Sequence, residues 1–270
     1  MDKVLLKRLE DGYPDQTFAF CWDVEHWVSG MFTNHSHQRQ RGITYRTYFN
    51  KPELHLQYLN KFFNHKDYMR VNGKPVLIIY ECDFKNILTT EFQDHLKFLK
   101  DNYKDGLHVI QAYQSNYRNT YEWADGLIEF TPNMDHNIGH LSVAREFPDS
   151  HIKSVSRGML THFDNTPRYP FGFSKNAFPK SETMNVTLFG DMLLKKMCYA
   201  SCFDEPGPLN LVSIFAWNEW GEGAVMEPSS LYRFQILEMI QKVRDQYVMK
   251  YKCKIGSDIC HEHQNMAQYI

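Results

Sequence analysis

Leu211-Val-Ser-Ile-Phe-Ala-Trp217 is a near-continuous apolar run that leads directly into Asn218-Glu-Trp-Gly-Glu-Gly223. A strand-length run of this kind, without regular polar alternation, reads as a strand covered on both faces. Working outward, similar runs recur. They are Thr17-Phe-Ala-Phe-Cys-Trp22, Val76-Leu-Ile-Ile-Tyr80, Leu107-His-Val-Ile-Gln-Ala-Tyr113, Gly126-Leu-Ile-Glu-Phe130 and Val155 to Thr161. Between them lie segments with helical periodicity. Lys51 to Phe63 places Leu54, Tyr58, Leu59 and Phe62 on one side, and Thr89 to Asn102 does the same with Phe92, Leu96 and Leu99. Part of Asn185 to Tyr199 and the stretch Leu231 to Tyr247, with Phe234, Leu237, Ile240 and Val243, read as two more helices. Asn72-Gly-Lys-Pro75 reads as a turn.

Apolar strands alternating with helices define an α/β chain with a parallel sheet, either a closed (β/α) barrel or a doubly wound sheet. The chain has neither GxGxxG nor GxxxxGK[ST], which counts against the nucleotide-binding open sheets. Polar and aromatic residues gather just after strand ends: Trp22 to Trp27, Tyr80-Glu81, Tyr113-Gln114, Asp164-Asn165 and Asn218 to Glu222. That is the active face of a (β/α) barrel. The six strands fall short of the barrel's eight.

Hydrophobic residues make up 43% of the 270 positions and charged residues 23%, enough for a sizeable core. The net charge of −2 gives no basic face, so nucleic acid is not an expected partner. Aromatic content reaches 15%, which suits a large aromatic core and also a sugar site, where flat rings stack on pyranose C–H faces. No apolar run is long enough for a membrane span, and the N-terminal run is too short for a signal peptide. These features leave the compartment open.

The six cysteines show no CxxC spacing. Cys21 and Cys82 lie in apolar runs and read as buried free thiols. Cys253 and Cys260 sit in a polar tail with His261 and His263; they would pair in an oxidising compartment, and their spacing matches no zinc pattern. His35 and His37 alone make an incomplete metal site. No metal or other cofactor is expected. Asn34-His-Ser and Asn185-Val-Thr match the glycosylation sequon.

Two glutamates dominate the chemistry. Glycosidic bond cleavage requires a carboxyl group that protonates the leaving oxygen and a second group acting across the sugar ring. Glu219 and Glu222 would point to opposite sides of a regular strand, but Gly221 and Gly223 allow a loop in which they converge. Packing by Trp217 and Trp220 would desolvate a carboxyl group and raise its pKa. The same residues also fit a solvated acidic loop beside two core tryptophans. At the end of the first strand, Asp23 and Glu25 with Trp22 and Trp27 fit a sugar subsite, and Asp23 equally fits a helix N-cap. Tyr80-Glu81 fits a subsite or barrel packing, and Asp164-Asn165-Thr-Pro-Arg168 fits a surface turn.

Taken together, four segments resemble the WbsX-type glycosyltransferase family, itself similar to the endo-α-mannosidases of glycoside hydrolase family ninety-nine. They are Phe18-Ala-Phe-Cys-Trp-Asp-Val-Glu-His-Trp27, Phe62 to Tyr80, Phe163-Asp-Asn-Thr-Pro-Arg168 and Phe215-Ala-Trp-Asn-Glu-Trp-Gly-Glu-Gly-Ala-Val-Met-Glu-Pro228. The resemblance implies a (β/α)8 TIM-type barrel acting on an oligosaccharide or polysaccharide. It assigns Glu219 to assist the sugar 2-hydroxyl in attacking its own anomeric carbon, and Glu222 to act as general acid and then base. Trp22, Glu25, Trp27, Tyr80, Asp164, Asn165, Trp217, Asn218, Trp220 and Glu227 would bind substrate.

The chain also departs from the family pattern. The family's opening Phe-His-Pro strand and Gly-Phe-Thr-Glu-Trp segment are absent, so the first two βα units of the barrel are expected to be lacking. Asp23-Val24 replaces the family's Ala-Asn, and Phe163 replaces a tryptophan. Residues 1–250 are expected to form a single glycan-active barrel domain, truncated at its N-terminus, followed by a tail over 251–270. Two functions fit: a glycan-processing enzyme of the hydrolase or transferase kind, related to polysaccharide biosynthesis proteins, or a catalytically inactive barrel with a glycan-binding or structural role.

Overall fold

The structure is a computed structural model. It describes residues 2–11, 16–24, 27–28, 44–45, 49–80, 88–113, 120–130, 154–163, 185–203, 209 and 211–250. Glu25, Glu81, Cys82, Gln114, Asp164 to Arg168, the Asn34 to His37 loop and the 251–270 tail, with its cysteines and histidines, lie outside the described residues. The chain divides into two compact units: residues 1–29, 43–112 and 121–126, and residues 30–42, 113–120 and 127–270.

The first unit contains α1 (Asp2–Asp11), β1 (Phe20–Asp23), the short pair β2 (Trp27–Val28) and β3 (Thr44–Tyr45), α2 (Pro52–Phe63), β4 (Arg70–Val71), β5 (Lys74–Tyr80), α3 (Thr90–Asn102) and β6 (His108–Tyr113). β1, β5 and β6 are parallel neighbours, with Cys21 opposite Ile78 and Ile78 opposite Ile110. β4 adds an antiparallel hairpin closed by the turn expected at Asn72, with Lys74 and Pro75 already part of β5. Its two-residue turn is Asn72-Gly73, both at positive φ (50° and 81°), the backbone that Asn-Gly is suited to.

Local chemistry explains the helices. Pro52 opens α2, where its missing N–H costs nothing. Thr89 caps α3, its hydroxyl accepting from the Phe92 N–H at 3.3 Å. α3 buries Phe92, His95, Leu96 and Leu99. The buried side of α2 is Leu56, Leu59, Phe62 and Phe63, while Leu54, expected to face inward, is exposed. One core unites Leu77, Ile79 and Val109 of the sheet with these helices, and Phe20 and Trp22 pack against it.

Two polar devices sit within that core. The Tyr68 hydroxyl donates to the Val76 carbonyl at 2.7 Å and accepts from the Phe20 N–H at 3.1 Å, strapping β1 to β5. Burial raises its pKa. The second is a histidine relay. His95 Nδ1 lies 3.1 Å from the Phe49 carbonyl, which can only accept. Its Nε2 is therefore left to accept from His55 Nδ1–H at 3.0 Å. Both rings are neutral in this arrangement, and both touch Trp22.

The second unit contains β7 (Gly126–Glu129), β8 (Val155–Leu160), α4 (Val186–Phe203), β9 (Val212–Phe215), the short pair β10 (Asn218–Glu219) and β11 (Ala224–Val225), and α5 (Gln235–Lys250). β7, β8 and β9 are parallel neighbours. Met159, Phe189, Met192, Leu193, Ile236 and Val243 form its core. α5 starts later than its apolar spacing suggests, because Arg233 adopts a left-handed conformation and Phe234 is exposed.

An ion pair is sealed beneath this sheet. Lys196 of α4 approaches Glu129 of β7 at 3.0 Å, with 3% and 1% of their side chains exposed. The same carboxylate accepts the Gly158 N–H at 3.0 Å. That third partner offsets part of the desolvation that makes buried ions costly. Gly158 is required there: a Cβ would fall 2.0 Å from the Glu129 carbonyl oxygen. Gly190 of α4 lies against α5, where a Cβ would meet only the flexible Met239 side chain.

Two outcomes follow for stability. Burial and the neighbouring His95 lower the His55 pKa from 6.5 to about 4, and burial lowers that of His95. The unfolded chain therefore takes up protons below about pH 6.5 that the folded chain refuses, so stability falls as pH drops toward 4, by up to about 3 kcal/mol. Urea melts at pH 7 and 4.5 should show this loss, reduced in His55→Asn, which keeps a donor for His95. Separately, Gly158→Ala should cost about 3 kcal/mol or prevent folding, whereas Gly190→Ala should cost much less because methionine can repack. Equal thermal shifts for the two variants would contradict the packing described.

Candidate active site

The segment after β9 turns back on itself at once. The Met226 N–H donates to the Ala216 and Trp217 carbonyls, each at 3.0 Å, and the Glu227 N–H to the Trp217 carbonyl at 2.9 Å. These bonds close a hairpin in which Asn218 pairs with Val225 and Glu219 with Ala224. Between the two short strands, Trp220–Glu222 form one 3-10 turn. Gly223 ends it in the left-handed region, φ 64°. Gly221 has no positive φ, so only one of the two glycines uses the freedom expected of both.

This turn changes how the carboxylates are related. In a strand, residues three apart face opposite sides. In a 3-10 turn, residues three apart eclipse one another. Glu219 lies just outside the turn as its cap, at φ −82° and ψ 67°, and Glu222 is its last residue, so the alternation of a strand does not continue between them. Both side chains are partly exposed. Trp217 and Trp220 are 49% and 52% exposed, so the desolvation expected from their packing is only partial. Trp220 instead orders another carboxylate: its indole N–H donates to Glu227 at 2.9 Å. Asn218 is exposed at the start of the hairpin.

The remaining described candidates belong to the first unit. Trp22 is partly buried on the helix side of β1, its ring against Phe49, His55, Phe92 and His95. Tyr80 ends β5 opposite Asp23, the last residue of β1. Successive strand residues face opposite sides, so Asp23 and Tyr80 share the face away from the helices while Trp22 does not. Sequence reading placed Trp22 and Asp23 together at the strand end; the alternation within Phe20–Asp23 is the signal that separates them. Of Trp27 only the backbone is described, paired with Tyr45. Glu25, Asp164 and Asn165 lie outside the described residues.

Cys21, expected to be buried, belongs to a residue that is exposed on this strand. Its sulfur is nonetheless crowded: burial, and then the Asp23 carboxylate, push the thiol up to about 12. Cys198, at 0% exposure, is a buried cysteine, as Cys21 was expected to be.

Within each unit, parallel strands paired in chain order and covered by intervening helices define the class: an α/β protein of the (β/α)8 TIM type. The described residues supply six of the eight strands such a barrel has. Its particular family follows from the chain as a whole. The protein belongs to the family described as Glycosyltransferase WbsX, a glycan-related enzyme family whose model matches residues 1–152 and 142–240. No curated protein matches it.

Among solved structures, it is similar to the GH99 endo-alpha-mannosidase from Bacteroides thetaiotaomicron. The TM-score is 0.51 at 13% identity, over 91% of this chain and 71% of that one. This likeness concerns the fold. A second structure of that enzyme, in complex with bis-tris-propane, aligns with a TM-score of 0.47 at 15% identity, over 75% of this chain and 68% of that one. A glycoside hydrolase-like protein aligns at 0.49 and 16% identity over 71% of this chain, which spans 60% of that protein's length. Among the described residues, no helix is long and apolar enough to cross a membrane.

The hairpin geometry has a direct test. Gly223→Ala forces a side chain into a left-handed position, which should cost about 1 kcal/mol and loosen the turn carrying Glu222. Trp220→Phe removes one hydrogen bond to a carboxylate and should cost about 1 kcal/mol or less at so exposed a site. Thermal melts combined with tryptophan fluorescence would read both, and wild-type behaviour of Gly223→Ala would contradict the turn as described.

Proposed function

We propose that the protein is a glycan-processing enzyme that breaks α-mannoside-like linkages with retention, using Glu219 and Glu222. One observation carries this reading. Directly beyond a barrel strand, a closed hairpin with a single 3-10 turn holds two carboxylates, three residues apart, on one short segment. Membership in a glycan-related family and the fold shared with an endo-α-mannosidase support it.

In the first step, Glu219 accepts the proton of the sugar 2-hydroxyl as that oxygen bonds to the anomeric carbon. The bond to the leaving oxygen breaks, and Glu222 supplies the proton that oxygen needs. In the second step, Glu222 takes a proton from the incoming hydroxyl as it attacks the anomeric carbon. The bond to O2 breaks, and Glu219 returns its proton. Two inversions give retention with no enzyme nucleophile, an exception to the usual two-carboxylate scheme. With no nucleotide-sugar motif in the chain, water is the favoured acceptor in the second step.

Asn218, Trp217, Trp220 and Glu227 are proposed to contact the sugar from the same hairpin, with Trp220 and Glu227 held as a pair. Glu25, Trp27, Tyr80, Asp164 and Asn165 are proposed as further substrate contacts. Trp22 is proposed to contribute to binding from its packed position behind Asp23.

A panel of α-mannosides and bacterial-type polysaccharides would identify the substrate. On it, Glu222→Gln should lose about 10²- to 10⁴-fold in rate with an unchanged melting temperature. Full activity of that variant would remove Glu222 from the mechanism. A wild-type chain that binds the glycan without turning it over would favour the non-catalytic alternative.

A further inference from the structure

Asp23 and Tyr80 are brought together by register. They are the last residues of adjacent parallel strands and stand directly opposite one another, and the Val24 N–H donates to the Tyr80 carbonyl at 3.0 Å. The flanking residues show which way they face. Phe20, Trp22, Leu77 and Ile79 all belong to the core beneath α2 and α3. Alternation therefore turns Cys21, Asp23, Ile78 and Tyr80 to the other face. Electrostatics agrees for Asp23, since its carboxylate acts on the Cys21 thiol two residues earlier, on the same face. Trp22 is wedged against Phe92 and the two relay histidines, so a strand rotation that would bury Asp23 would also expose Trp22.

The result is a carboxylate beside a phenol at the carboxyl end of two parallel strands, the end at which barrel enzymes bind their ligands. Both residues are partly exposed. Neighbouring strands lie about 4.8 Å apart, so both groups can meet one sugar ring. A carboxylate has two oxygens and accepts from two adjacent hydroxyls at once, while a phenol can donate or accept.

We propose that Asp23 is a specificity-determining residue which, with Tyr80, binds a pyranoside through two adjacent unsubstituted hydroxyls. The proposal rests on the glycan-processing reading above and adds a requirement on the substrate: a free vicinal diol on the bound ring. Hydrogen bonds to a charged group contribute enough that losing the charge should weaken binding about 10-fold or more.

The test uses the full chain and defined probes: α-mannobiosides of each linkage, with the matching deoxy analogues. Wild type should bind at least one mannobioside and lose about 10-fold or more in affinity when either hydroxyl of the diol is removed. Asp23→Asn should bind the parent sugar as weakly as wild type binds the deoxy analogue, and should raise KM far more than it lowers kcat. Tyr80→Phe should show a smaller loss, and the double variant less than the sum, since both act on one ring. Melting temperatures of the single variants should stay near wild type. Binding by Asp23→Asn equal to wild type, or no discrimination against the deoxy analogues, overturns the proposal, as does failure of wild type to bind any probe. The catalytic reading fails separately: a fully active Glu222→Gln sinks that assignment and leaves weakened binding by Asp23→Asn standing.

Discussion

The alternation of side chains along buried parallel strands governs the chemistry of the first unit. β1 must bury Phe20 and Trp22 against α2 and α3, and that requirement sends Cys21 and Asp23 to the opposite face. β5 obeys the same rule through Leu77 and Ile79, which leaves Tyr80 beside Asp23. The Tyr68 hydroxyl keeps the two strands in step by bonding to backbone groups of both. A slip of one residue would exchange the two faces, exposing aromatic rings and burying a carboxylate without a matched cation. The histidine relay behind Trp22 completes the arrangement, because it satisfies ring nitrogens that would otherwise be buried unpaired.

In the second unit a polar contact performs the corresponding task. Glu129 has no apolar alternative to offer: its side chain lies at 1% exposure between a strand and a helix. Lys196 and the Gly158 N–H supply the partners it needs. The glycine is part of the same solution, since any side chain there would collide with the neighbouring backbone. With β8 and β9 set in register on this foundation, the chain leaves β9 and folds directly into the hairpin carrying Glu219 and Glu222. The hairpin is closed by backbone bonds to Ala216 and Trp217, so the carboxylates are mounted on a short, well-tied turn.

Much of this was legible in the amino-acid order. Six parallel strands and the main helices follow from apolar runs and helical spacing, because burial on both faces leaves that mark in composition. The four motif segments pointed to the family, and the family model matches the chain. Less legible were features that depend on small angular differences. The buried side of α2 is rotated from the expected one, since Leu56 and Phe63 outcompete Leu54 for the core. β4 and the pair β10–β11 are too short to leave a pattern.

The sequence by itself determined the class of fold and the family, because strand-length apolar runs and a dense motif are properties of residue order. Only the tertiary structure decided which way each group faces. The chain between Glu219 and Glu222 is a 3-10 turn in which only Gly223 takes a left-handed backbone, so the alternation of the strand ends there. Trp22 packs into the core and Asp23 stands with Tyr80, because residues that are neighbours in the chain face apart and residues far apart in the chain share a face. That pairing depends on register between strands, and register is set by packing contacts that no local stretch of sequence contains.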